Sequence, residues 1–105
     1  MVISQTWLNA GEAAFDAYRA LVNDYDDFLH RQPGFVSRKL VRSIDDPKHI
    51  VHLREFDSVE SYEAMTQIPE YRDQIEALSQ FVDPAAYPPG AVGREYCQVI
   101  VDTIA

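Results

Sequence analysis

Apolar and polar side chains alternate from the start of the chain. Ile3, Gln5 and Trp7 fall against Val2, Ser4, Thr6 and Leu8, a two-residue period that predicts a strand over residues 2–8. After Asn9-Ala10-Gly11 breaks the run, Ala14, Phe15, Tyr18, Leu21, Val22, Tyr25, Phe28 and Leu29 recur every three or four positions. That stripe predicts a first amphipathic helix, ended by Gln32-Pro33-Gly34. Residues 35–43 and 49–57 are extended runs around Ile44-Asp45-Asp46-Pro47-Lys48, whose Asp and Pro residues favour a reversal, so they predict a hairpin. Asp57-Ser58-Val59-Glu60 reads as a capping box with Asp57 accepting from the Glu60 amide, opening a helix with inner face Val59, Tyr62 and Met65. Pro69 kinks or divides that helix before Tyr71, Ile75, Leu78 and Val82 resume the period. Residues 83–93, with Pro84, Pro88, Pro89, Gly90 and Gly93, predict a loop, and the β-branched run within 94–104 predicts a fourth strand.

The resulting order, β-α-β-β-α-β, is an α+β, ferredoxin-like arrangement: right-handed crossovers place the helices on one face of a four-stranded antiparallel sheet. The other face is then uncovered. Yet the strands carry apolar side chains on both sides, Val51 and Leu53 against Ile50 and Phe56, and Cys97, Val99 and Val101 against Tyr96 and Ile100. A sheet wetted on one face alternates more cleanly. We therefore expect a second copy of the chain to cover the open face, sheet on sheet, in a homodimer.

A length of 105 residues suits one domain spanning 1–105, and a net charge of −8 disfavours nucleic acid and anionic membrane surfaces as partners. The single cysteine, Cys97, excludes an intrachain disulfide and a Cys-rich zinc site. With no signal-like N-terminus and no long apolar segment, a cytoplasmic protein that neither spans a membrane nor is exported is expected.

Spacing removes several chemistries. Walker, GxGxxG, GxSxG and HExxH patterns are absent. Asp24, Asp26 and Asp27 lack the turn glycine and third ligand of a calcium loop, and His49 and His52 point to opposite faces of a strand, so no metal site is expected. His30 suits the negative end of the first helix, and Cys97 reads as packing. His52 shares its face with Ile50, Arg54 and Phe56, and is either a proton-exchanging imidazole between sheet and helices or a structural histidine. Tyr62, Tyr71, Tyr87, Tyr96, Trp7 and Phe56 converge on the helix side, as plain core or as the wall of a pocket for a flat, partly polar ligand. Arg72 is either a surface ion-pair partner or an anchor for an enolate oxygen.

The stretch Pro33-Gly34-Phe35 through Ser43, then Asp45-Asp46-Pro47, then His52-Leu53-Arg54-Glu55-Phe56-Asp57-Ser58-Val59-Glu60-Ser61-Tyr62 resembles the antibiotic biosynthesis monooxygenase family. The family pattern is Pro-Gly-Phe, a hairpin, and a strand ending in Glu-x-Trp-Glu-Ser before a helix. The resemblance covers residues 33 to about 80, and the element order matches throughout. It implies a dimeric α+β barrel with a ligand pocket between helices and sheet, and cofactor-free oxygenation of an aromatic polyketide or other enolisable molecule by O2. On this chain the family's strand asparagine falls on His52, its tryptophan on Phe56 and its tyrosine on Tyr62. Its later arginine falls near Ile75, with Arg72 a turn away. Ile75 and Met65 stand where haem-degrading members have a histidine and a tryptophan, which disfavours haem degradation. The resulting expectation is His52 as base or hydrogen-bond donor, Tyr62 orienting the substrate oxygen, Arg72 stabilising negative charge, and Trp7, Phe56, Met65 and Tyr71 lining the pocket. A non-catalytic small-molecule-binding dimer and an oxygen-independent isomerase or cyclase are the alternatives.

Overall fold

The computed structural model describes residues 1–105. Strands β1 (Val2–Trp7), β2 (Phe35–Arg42), β3 (His49–Phe56) and β4 (Arg94–Tyr96) form one antiparallel sheet in the order β2-β3-β1-β4. Helices α1 (Glu12–Asp24) and α2 (Asp26–His30) follow β1, and α3 (Val59–Thr66) and α4 (Pro69–Ser79) follow β3. This is the ferredoxin-like α+β topology expected from the alternation pattern.

Register decides which side chains meet. Val2 opposes Arg54, Ser4 opposes His52 and Thr6 opposes Ile50, so these pairs share the helix side. Ile3, Gln5 and Trp7 oppose Leu53, Val51 and His49 on the open side. On the helix side two apolar clusters form at opposite ends of the strands. Val2, Phe28, Leu29, Phe56, Tyr62 and Met65 make one, and Leu8, Tyr18, Val22 and Ile50 make the other. Each fully buried large side chain contributes about 1.5–3 kcal/mol of apolar transfer free energy. The strand centres between the clusters are polar, and the packing opens there.

The first helix is two helices. Tyr25 (φ −96°, ψ 10°) leaves helical geometry, and Arg38 donates to the freed Val22 carbonyl at 3.0 Å and to Asp26 at 2.8 Å. The break moves Asp26 and Asp27 to the positive end of α2, where carboxylates are favoured. Ser58, not Asp57, caps α3, accepting from the Ser61 amide at 3.1 Å. Val59, in the first turn, lies outside the buried face, 43% exposed, while Tyr62 and Met65 are buried. Pro69 divides the second helix as expected, occupying the first turn of α4 where its missing N–H is harmless. Inside α4 the buried position is Gln74, with Ile75 half exposed, and Val82 falls past the helix in a bridge to Leu8.

The fourth strand is three residues long instead of eleven. Its register on β1 places Tyr96 opposite Val2, and Cys97 then exchanges backbone hydrogen bonds with Met1 at 2.7 and 2.8 Å. Beyond that pair no strand of the same chain lies alongside, so Ile100, Val101 and Ile104 are solvent-exposed.

Gly34 explains the local Pro-Gly-Phe sequence. It sits at φ +83°, its carbonyl accepts from the Asp57 amide at 2.7 Å, and a Cβ there would overlap the Asp57 carboxylate and come 2.7 Å from Ser61 Oγ. Gly34→Ala is therefore expected to destabilise the protein by about 1–3 kcal/mol, read as a lowered denaturant midpoint at unchanged slope, whereas Gly93→Ala, with open space at its Cβ and no positive φ, costs less.

Candidate active site

A cavity of about 590 Å³ opens where the two apolar clusters part. That volume lies within the range of about 300–1,000 Å³ typical of small-molecule sites. Its floor is the helix side of the sheet: His52, Ser4 and Arg94 lie in one row across β3, β1 and β4, with Arg54 in the next row. Its roof is Tyr62 from α3 and Tyr71, Gln74 and Leu78 from α4. Toward Ile50 the wall turns apolar, with Leu78 and Val82.

The polar end is organised around the Tyr62 hydroxyl. It lies 3.4 Å from the Tyr71 hydroxyl and accepts from Arg94 Nη1 at 3.4 Å. The Arg54 guanidinium stands over the Tyr62 ring, 5.3 Å from its centroid, and donates to Ser4 Oγ. Phe56 holds the Tyr62 ring edge-on at 5.6 Å from the first apolar cluster. Burial works against ionisation of Tyr62, but the Arg54 charge, the hydrogen bonds with Tyr71 and Arg94 and the Arg94 charge outweigh it. Its pKa is thus lowered from the ordinary 10. Tyr71, half-buried and sharing its hydroxyl with Tyr62, is pushed up to about 12 by desolvation and that hydrogen bond, and stays protonated. The pair is a proton donor beside an acidified partner.

His52 is held neutral. Burial, then the charges of Arg54 and Arg38, push its pKa down to about 3, and its Nε2 has no hydrogen-bond partner. An imidazole that weakly basic is a poor proton acceptor near neutrality, so its chemistry here is that of an uncharged hydrogen-bonding group. Gln74 Oε1 is likewise buried without a partner. Two guanidinium groups on the wall of one cavity give it a positive end, a charge arrangement that can stabilise an oxyanion.

The residues singled out from the sequence separate into two groups. His52, Tyr62 and Tyr71 meet in the cavity. Trp7 does not: it lies on the open side, stacked on His49 at 4.2 Å and covered by Tyr87 at 4.8 Å, because the strand period sends it opposite Thr6 and Leu8. Phe56 and Met65 are packed into the first apolar cluster behind Tyr62 and outside the cavity wall. Arg72 sits on the solvent side of α4, donating to Gln67 at 3.3 Å, since Tyr71, Gln74 and Leu78 take the inward positions. Arg54 and Arg94 supply the positive charge instead. Arg54 had a sequence signal, a charge in step with His52 on a buried strand face; Arg94 had none, because only the β1–β4 register brings it to Ser4.

A family model described as antibiotic biosynthesis monooxygenase matches residues 1–77. No curated protein matches the chain. Among solved structures, one assigned to the same family from Caulobacter crescentus CB15 superposes with a TM-score of 0.76 at 15% identity, over 95% of this chain and 88% of that one. SnoaB, a cofactor-independent oxygenase from Streptomyces nogalater, superposes with a TM-score of 0.68 at 18% identity, over 78% and 81%. At such identities the likeness to each structure is one of fold.

The buried neutral state of His52 makes stability pH-dependent. Its folded pKa lies below the unfolded value of 6.5, so the unfolded chain binds more protons between pH 6.5 and about 3, and stability falls as pH drops through that window. His52→Asn is expected to flatten the acid limb of the stability curve by up to ~1.4 kcal/mol per pH unit, measured by urea unfolding at a series of pH values.

Proposed function

We propose that this chain, which belongs to the antibiotic biosynthesis monooxygenase family, oxidises an aromatic or otherwise enolisable small molecule with O2 and needs no cofactor. One observation carries the reading: the Tyr62 hydroxyl, in contact with Arg94 and Tyr71 and under the field of Arg54, faces a ligand-sized cavity. The substrate methylene gives up a proton to yield an enolate whose oxygen the two guanidinium groups stabilise. The electron-rich enolate is what reacts with O2. The methylene becomes a carbonyl, one oxygen atom enters the product and the other leaves as water, which balances CH2 plus O2 against C=O plus H2O. Tyr62 in its ionised form accepts the substrate proton, Tyr71 donates to the developing oxyanion, and His52 orients the substrate through its uncharged ring. Preorganised charge and positioning supply the catalysis. Ile75, where haem-degrading relatives of the sequence pattern carry a histidine, offers no ligand for iron.

In this reading residues 1–105 act as one domain, in the cytoplasm, and a second copy covers the open face through Ile3, Val51 and Leu53. No helix is long and apolar enough to cross a membrane. Leu53→Glu is expected to convert a dimer to a monomer in sedimentation velocity; an unchanged sedimentation coefficient removes the sheet-to-sheet assembly.

The enzymatic test is oxygen consumption with product analysis on an anthrone under air. Tyr62→Phe is expected to lower kcat/KM by roughly 100-fold, and His52→Ala to lower it as well. Because the ionised form of Tyr62 accepts the proton, the rate rises with pH through an apparent pKa below 10. Arg94→Gln moves that limb to higher pH, and Tyr62→Phe abolishes it. Oxygen uptake no faster than in buffer across a set of enolisable aromatics overturns the oxygenase and leaves a binding or isomerising role.

A further inference from the structure

The chain holds 17 acidic residues, and not one lines the cavity. Arg54 is 6% exposed, and neither it nor Arg94 belongs to any of the four ion pairs. Elsewhere the arginines partly withdrawn from solvent are compensated: Arg38 and Arg42 each reach a carboxylate. A buried guanidinium without a counter-charge is costly, and folds normally pair or neutralise it. Ser4 Oγ and the face of Tyr62 satisfy part of Arg54, but its Nε has no partner. Arg94 is exposed and Arg54 buried, and their guanidinium carbons lie 5.7 and 5.3 Å from the Tyr62 ring centroid.

We propose that the ligand of this cavity is anionic before any reaction: a largely apolar, aromatic small molecule bearing a carboxylate or comparably ionised oxygen, which Arg54 and Arg94 bind beside Tyr62. The assignment rests on the cavity being the ligand site proposed above, and it adds the ligand's charge. The charged oxygen binds the guanidinium groups on the cavity wall through charge-assisted hydrogen bonds, which are stronger than neutral ones. Its ring system lies toward Ile50, Leu78 and Val82, where the wall is apolar. The neutral His52 and the Gln74 side chain, each with a buried unpartnered atom, are placed to read polar substituents in between. The protein's net charge of −8 does not oppose this locally, since exposed charges more than about 8–10 Å away are largely screened at physiological ionic strength.

The test uses 2-naphthoate and its neutral counterpart 2-naphthamide, titrated calorimetrically into the full chain. Naphthoate is expected to bind at least tenfold more tightly than naphthamide. Arg54→Met is expected to weaken naphthoate roughly 30-fold, as for loss of a buried charge partner, while leaving the thermal midpoint unchanged or higher, because an apolar isostere relieves an unpaired buried charge. Should Arg54→Met not fold, Arg94→Gln, on an exposed strand, carries the test with roughly tenfold weaker naphthoate binding. Arg72→Gln, outside the cavity, leaves binding unchanged. Equal affinity for the two probes, no binding of naphthoate, or naphthoate binding insensitive to both cavity arginines overturns the proposal. These readouts involve no oxygen: naphthoate binding through Arg54 without oxygenation of any aromatic retains the anion site and rejects the oxygenase, and the reverse pattern does the opposite.

Discussion

A guanidinium placed on the buried face of a central strand constrains everything packed above it. Arg54 points to the helix side of β3 because it keeps step with Ile50, His52 and Phe56, and the helices cannot close over it as they would over leucine. What surrounds it is a serine hydroxyl, two tyrosines and open space. The apolar core is accordingly divided into two clusters at the strand ends, and the gap between them is the cavity. The same charge lowers the pKa of both His52 and Tyr62. Fold, cavity and site electrostatics thus share one cause.

Tyr62 shows how packing and chemistry are divided within a single side chain. Its ring belongs to the first apolar cluster, fixed edge-on by Phe56, and its hydroxyl belongs to the cavity. A ring so immobilised presents its oxygen at a fixed place on the cavity wall. Phe56 and Met65 therefore matter to the site through the position of Tyr62, without touching the space a ligand would fill. Unpaired buried charge is tolerated in folds chiefly where function needs it, and the other arginines of this chain, paired or exposed, serve as the contrast.

The open side of the sheet follows a different logic. Trp7, stacked on His49 and roofed by Tyr87, is buried within the chain, whereas Ile3, Val51 and Leu53 beside it have no helix above them. The segment after Cys97 is rich in β-branched residues, yet it is irregular and exposed, since strand propensity without a neighbouring backbone leaves its amides unpaired with sheet. Both features concern surfaces for which this chain supplies no partner of its own.

Periodicity alone was sufficient for the element order, the hairpin, the division at Pro69 and the α+β topology, because burial of one face writes a period of two or 3.6 into the sequence. It also placed His52, Tyr62 and Tyr71 near one another, since each lies on the inward period of its own element. Trp7 and Arg72 stay outside the cavity because the periods of β1 and α4 turn the indole and the guanidinium away from it. The break at Tyr25 and the short β4 were not legible, for they depend on Arg38 reaching the end of α1 and on where β1 stops pairing. The arginine pair was decided only in three dimensions: Arg54 and Arg94 are 40 positions apart in sequence. They meet at Tyr62 because β1 pairs with both β3 and β4, and no local pattern records such a long-range register.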